Sequence, residues 1–327
     1  MQADAEQVAD TTLPIMDDGR RRHAVDDALG TPGAVDLRLI FRAPLNPDNL
    51  FGHLVATAIP GVEEWHQGSY RRTVRLPNGP GIVALRPEPD HIGCRLLLAD
   101  LRDVGTAVTL CRRILDLDAD PMAVDDVLRA DPLLAPVVEA APGRRVPGSP
   151  DGAEFAVRAV LGQQVSTAAA RTHAGRLVVA HGDPVDDPEG GLTHLFPEPL
   201  VLAGIDPQSL AMPSARRGAL LGLVRALARG EFALDPGADR ELARARLSAL
   251  PGLGPWTVES IAMRGLGDPD AFLPTDLGIR AAARRLGLPV SPAALVAHAK
   301  AWQPWRAYAV QYLWATGEHP VNVLPTG

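Results

Sequence analysis

Two groups of residues in "LPGLGPWTVESIAMRGLGDPDAFLPTDLGIRAAARRLG" (250–287) are of types that do chemistry. The first is Pro251-Gly252-Leu253-Gly254, set between two segments of helical period. Two glycines two positions apart allow a sharp reversal, and without a Cβ another molecule can approach the backbone closely. Pro255 suits the first turn of the following helix. The outward N–H groups there, including those near Trp256 and Thr257, sit at the positive end of a helix dipole and favour an anion. If that anion is a nucleic-acid phosphate, Gly252, Leu253, Gly254 and Thr257 grip the backbone without reading sequence, and Leu253 turns inward as a packing plug. An ordinary helix–turn–helix connection fits the same residues. The second group is Asp276, at the start of the helix "LGIRAAARRLG". It reads either as an N-cap or as a working carboxylate; in the second case the neighbouring Thr275 is free to cap.

Two further clusters accompany them. Aromatic residues make up 4% of the chain, yet Trp302, Trp305, Tyr308, Tyr312 and Trp314 crowd into one short segment. Trp305, Tyr308 and Tyr312 recur at helical spacing and share a face, which reads mostly as core. In "VLGQQVS", Gly162-Gln163-Gln164 interrupts a helical pattern as a turn or kink.

The elements that must position these groups fall into two patterns. Residues 36–118 read as an α+β domain. "VDLRLIF" alternates like a half-buried strand, "SYRRTVRLPNGPGIVALRP" reads as a hairpin and "GCRLLLAD" as a further strand. Helices are expected near 46–59 and 104–117. Residues 119–327 read as all-helical, with segments opening on Asp, Ser or Thr beside Pro. Residues 1–35 carry an excess of acids and little periodicity, and read as a disordered tail.

Composition narrows the function classes. At 327 residues and 46% hydrophobic, the chain has ample core for two domains. It has no apolar run of membrane-spanning length and no signal-peptide pattern, so a cytoplasmic protein without membrane contact is expected. Cys94 and Cys111 are too few for a four-thiolate centre and read as buried thiols. His53, His91, His173 and His298 are scattered without ligand spacing, so no side-chain metal site is expected. The net charge of −7 is concentrated at the N-terminus, whereas residues 240–327 hold nine Arg/Lys against six Asp/Glu. A local basic surface is compatible with a polyanion. Lys300 is the only lysine.

The stretch "LPGLGPWTVESIAMRGLGDPDAFLPTD", with "FAVRAVLGQQVSTAAA", "FLPTDLG" and "WQPWRAYAVQYLW", resembles the helix-hairpin-helix DNA glycosylase superfamily, and within it the DNA-3-methyladenine glycosylase II family of alkylation repair. The similarity runs over roughly residues 36–324. The resemblance implies a TATA-binding-protein-like N-terminal half-fold followed by an all-α helix-hairpin-helix core. It implies a monomer acting on alkylated bases in duplex DNA, with Asp276 as the catalytic carboxylate against an oxocarbenium-like transition state. Trp256 and Trp314 become the base-pocket aromatics, and Gln164 with Gln163 the wedge that fills the gap left by a flipped base. Ser260 stands where that pattern has a tyrosine, which implies a wider or less aromatic pocket. The lyase relatives carry a lysine where this chain has Trp256, and an iron–sulfur relative needs cysteines after Cys111; neither is present. Monofunctional hydrolysis without a redox or nucleotide cofactor is therefore expected. A monovalent cation at the carbonyls of Ser248, Leu250 and Leu253 is also compatible with the resemblance. The alternatives are a glycosylase of different base specificity and a non-catalytic module that binds lesions or bent DNA. Such a module would have no use for Trp256, Asp276 and Trp314 together.

Overall fold

A computed structural model describes residues 33–325, so the tail expected over 1–35 lies outside the described residues except for its last three. Those three belong to the fold, because the first strand begins at Ala34, paired with Leu97.

The N-terminal region is one antiparallel sheet built from β1 (Ala34–Leu39), β2 (Glu63–His66), β3 (Ser69–Leu76), β4 (Gly79–Pro87) and β5 (Ile92–Leu98), in the order β1-β5-β4-β3-β2. Side chains alternate across the sheet, and in β5 Ile92, Cys94, Leu96 and Leu98 face inward. Against that face pack α1 (Asp48–Ala56), which supplies Leu50, Phe51 and Leu54, and α2 (Val104–Ile114), which supplies Ala107, Cys111 and Ile114. Cys94 and Cys111 are buried free thiols within this core.

The chain then becomes helical: α3 (Pro121–Arg129), α4 (Ala135–Ala140), α5 (Gly152–Leu161), α6 (Thr167–His181), α7 (Pro199–Ala203), α8 (Ser214–Ala228), α9 (Arg240–Ala249), α10 (Pro255–Arg264), α11 (Leu277–Leu286), α12 (Pro292–His298) and α13 (Arg306–Ala315). Asp120, Asp151, Ser166, Asp239 and Ser291 cap helices by accepting first-turn N–H groups, as their residue types favour. A second, larger core fills this region. Trp302 and Tyr312 are fully buried in it and Tyr308 nearly so, so this part of the aromatic crowd is packing.

Among the contacts that fasten the regions together, two bear on the site. The first is a buried ion network between the sheet and α5. Arg72 meets Glu63 at 3.2 Å and Glu154 at 2.8 Å, and Arg158 reaches both carboxylates at 3.0 Å. The second is the return of residues 319–323 onto α1. Gly52 lies so close to that turn that a Cβ there would sit 2.5 Å from the Val323 carbonyl oxygen. Among the described residues no helix is long and apolar enough to cross a membrane.

Candidate active site

The hairpin is α9, a tight turn and α10. Gly252 adopts φ +87°, and a Cβ on it would stand 2.7 Å from the Cβ of Ala219 in α8, so both the conformation and the contact exclude a side chain. Leu253 is buried in the helical core, and Gly254 and Pro255 open α10. The Gln163 side chain anchors this turn. Its amide nitrogen donates to the Gly252 carbonyl and to the Thr257 hydroxyl, each at 3.0 Å. Of the pair to which the resemblance gives the wedge, Gln163 is therefore hydrogen-bonded to the hairpin. Gln164 is exposed, with φ +55°, in the turn between α5 and α6.

The turn also bears on the cation. Backbone carbonyls are the right donors for a hard monovalent ion. The Leu250 carbonyl accepts the Leu253 N–H at 3.2 Å and retains a second lone pair, so it is a donor of the right kind for such an ion.

Asp276 is half-buried at the start of α11 and caps that helix itself. Its Oδ1 accepts the Ile279 N–H and the Trp314 Nε1–H, both at 2.9 Å, while Oδ2 accepts the Trp256 Nε1–H at 2.9 Å. Capping by Thr275 is thus corrected: one carboxylate both caps the helix and joins the two indoles. Gly278 leaves room for this. A Cβ there would come within 3.1 Å of both Asp276 Oδ1 and the Trp314 ring.

Asp276, Trp256 and Trp314 stand on the wall of a cavity of about 550 Å³, together with Ser260. Trp256, Ser260 and Arg264 follow one another at four-residue spacing, so one stripe of α10 lines the cavity from its mouth inward. Further lining comes from α5 (Phe155, Arg158, Ala159), from His53 of α1 and from Thr57 just after it, and from residues 317–322. Arg264 is buried, with its guanidinium 4.9 Å above the Phe155 ring. Its Nε donates to the Pro147 carbonyl at 2.6 Å and its Nη1 to His53 Nε2. Burial and then the charge of Arg158 bring the Arg264 guanidinium down to about 9, which still leaves it charged at neutral pH. Burial and the Arg264 charge hold His53 well below the ordinary imidazole value, so its ring is neutral. With Nε2 accepting from Arg264, the ring proton belongs on Nδ1.

The sequence assigns no site role to His53, Phe155, Arg158 or Arg264. For Arg264 such a role was within reach, because it continues the Trp256–Ser260 spacing by one more step. The approach of α1 and α5 carries no local sequence signal. Among the described residues no three His, Cys, Asp or Glu side chains are grouped as metal ligands.

The sheet, the helical core, the hairpin and a cavity-wall aspartate between two indoles define a helix-hairpin-helix glycosylase fold. A solved 3-methyladenine DNA-glycosylase from Archaeoglobus fulgidus superposes with a TM-score of 0.73 at 20% identity, over 85% of this chain and 97% of that one. The family model of the AlkA N-terminal domain matches residues 36–151. DNA-3-methyladenine glycosylase 2 of Escherichia coli is 33% identical over 284 residues, covering 85% of this chain and 96% of that protein. The chain belongs to this DNA-3-methyladenine glycosylase 2, or AlkA, family. It is also 58% identical over 300 residues to a Mycobacterium tuberculosis protein described as a probable bifunctional transcriptional activator/DNA repair enzyme AlkA. That match covers 92% of this chain but only 60% of the length of the mycobacterial protein.

Proposed function

We propose that the chain is a monofunctional DNA glycosylase that hydrolyses the N-glycosidic bond of alkylated bases, of 3-methyladenine type, in duplex DNA. The observation that carries this reading is the Asp276 carboxylate, held by two indole N–H groups and a helix N-terminus on the wall of a cavity beside the hairpin.

The chemistry follows from that placement. When the glycosidic bond breaks, its electron pair leaves with the base and positive charge develops on the sugar. Asp276 is already ordered in a partly desolvated site, so its negative charge stabilises that cation with little reorganisation. Water then attacks the anomeric carbon from the carboxylate side and loses a proton, leaving an abasic site. The indoles fix both carboxylate oxygens and offer π-faces to a cationic base. The lysine of lyase chemistry has no counterpart, because Trp256 follows the turn and Lys300 is exposed on the 3₁₀ segment Ala299–Trp302, away from the cavity. The hairpin amides would hold a phosphate, and Gln164 would fill the vacated stack.

The partner is duplex DNA carrying an alkylated base. The reading takes the chain to act as a monomer, with residues 36–118 and 119–327 as its two domains.

Asp276→Asn should lower release of methylated bases by about 10²–10³-fold, since it removes a transition-state charge. Helix capping and binding to an abasic-site analogue should persist, because Asn caps as well as Asp. Chromatography of released bases from methylated duplex DNA measures the first, and gel-shift titration the second. Release near the unmutated rate would reduce Asp276 to a cap and sink the assignment.

A further inference from the structure

Part of the cavity wall is polar, at the position where the resemblance has an aromatic side chain. Three side chains meet there from two elements distant in sequence: His53 on α1, and Ser260 and Arg264 on α10. Ser260 is 5% exposed and its hydroxyl has no hydrogen-bond partner. Arg264 is 9% exposed, with Nε on Pro147 and Nη1 on His53, while Nη2 has no partner among the described residues. Buried polar groups are ordinarily paired, so capacity left open at a cavity wall points to a ligand. The open groups are predominantly donors: the Arg264 Nη2 hydrogens and the His53 Nδ1–H, with the Ser260 hydroxyl able to turn either way.

We propose that His53, Ser260 and Arg264 form a donor edge that selects alkylated purines bearing a carbonyl oxygen at the six position, such as an alkylated guanine, over those bearing an amino group there. This deepens the glycosylase reading and rests on it. The Arg264 guanidinium is braced by a backbone carbonyl, an imidazole nitrogen and the Phe155 face, so it meets a carbonyl oxygen with its geometry already set. An exocyclic amino group turned toward the same wall would face donors with donors. A pocket equipped for a hydrogen bond rejects a base that cannot make it more strongly than a purely apolar pocket does.

One substrate tests this. Methylated duplex DNA carries both 7-methylguanine, with a carbonyl at the six position, and 3-methyladenine, with an amino group there. Both are cationic, so repulsion by Arg264 largely cancels in their ratio, as does any change in the fraction of folded enzyme. Released bases are separated by chromatography and compared as initial rates. In Arg264→Met the ratio of 7-methylguanine to 3-methyladenine release should fall about tenfold. His53→Phe keeps an aromatic body while removing the Nδ1–H and the Arg264 brace, and should lower the ratio in the same direction. If Arg264→Met loses all activity, His53→Phe decides. An unchanged ratio, with both rates falling together or neither, overturns the donor edge and leaves the glycosylase reading standing. Failure of the unmutated protein to release either base would instead overturn the glycosylase reading.

Discussion

Two buried polar clusters lie close to each other, and they are finished differently. At the junction of sheet and helices, Glu63, Glu154, Arg72 and Arg158 pair one another, and the Tyr70 hydroxyl donates to Glu63 at 2.5 Å. Burial pushes the Glu63 carboxyl up, but the charges of Arg158 and Arg72 outweigh it and bring it below its ordinary value. In the cavity, Ser260 is unpaired and Arg264 has a nitrogen to spare. The two clusters are adjacent, since Arg158 also lines the cavity and lowers the proton affinity of Arg264. Burial of charge therefore does not distinguish structure from site here; completeness of pairing does. A saturated network fixes the relation of two regions, and an open one waits for a partner.

Breaking the saturated cluster should have the largest effect. Glu63→Gln leaves two buried arginines short of negative charge and should cost about 3–5 kcal/mol in urea unfolding. A loss under about 1 kcal/mol would mean the network is hydrated and the contrast false. The pH dependence runs the same way. The folded Glu63 carboxyl lies below its ordinary 4.5, so its contribution is full above that value and is lost as pH falls through the folded value.

Asp116 is an intermediate case with the opposite sign. It accepts from the Tyr308 hydroxyl at 2.8 Å and the Val146 N–H at 3.3 Å, and burial raises its carboxyl to about 6 from 3.8. Its favourable contribution is present below 3.8 and lost as pH rises through 6. Asp116→Asn should thus stabilise the protein by about 1–3 kcal/mol at pH 7 and by little at pH 4, as read from unfolding at the two pH values. Equal effects at both would place the carboxyl among the paired groups. The smallest change sharpens the comparison at its open end. Ser260→Ala removes a hydroxyl that makes no bond, so stability should stay level or rise by up to about 1 kcal/mol. A loss above 1 kcal/mol would reveal a partner and close the gap on which the contrast depends.

The sheet, the helical region and the hairpin were legible in the sequence because each rests on local signals: alternation, caps, and glycines set two apart. Asp276 stood out because a proline-rich loop delivers it to a helix start. The cavity was half legible. Trp256 and Ser260 were readable as one stripe, but that stripe ended too early and omitted Arg264. His53 looked like one of several scattered histidines, since nothing local announces that α1 will lie across from α10. Gln163 and Gln164 differ in φ and in partner, not in type, so their separation into an anchor and an exposed tip needed coordinates. Capping and catalysis read as alternatives for Asp276, with Thr275 free to cap in the second case, because the sequence does not show one carboxylate binding two indoles and an amide at once.

The return of residues 319–323 onto Gly52 has a consequence for synthesis. This last part of the cavity lining is translated long after α1, against which it closes. A ribosome-bound chain that has folded as far as α11 already displays the hairpin and the carboxylate, yet its cleft has neither the second indole nor this lining. On the proposed function, such a nascent chain would bind a duplex before it could release a base, and translation of α13 and residues 317–323 completes the site.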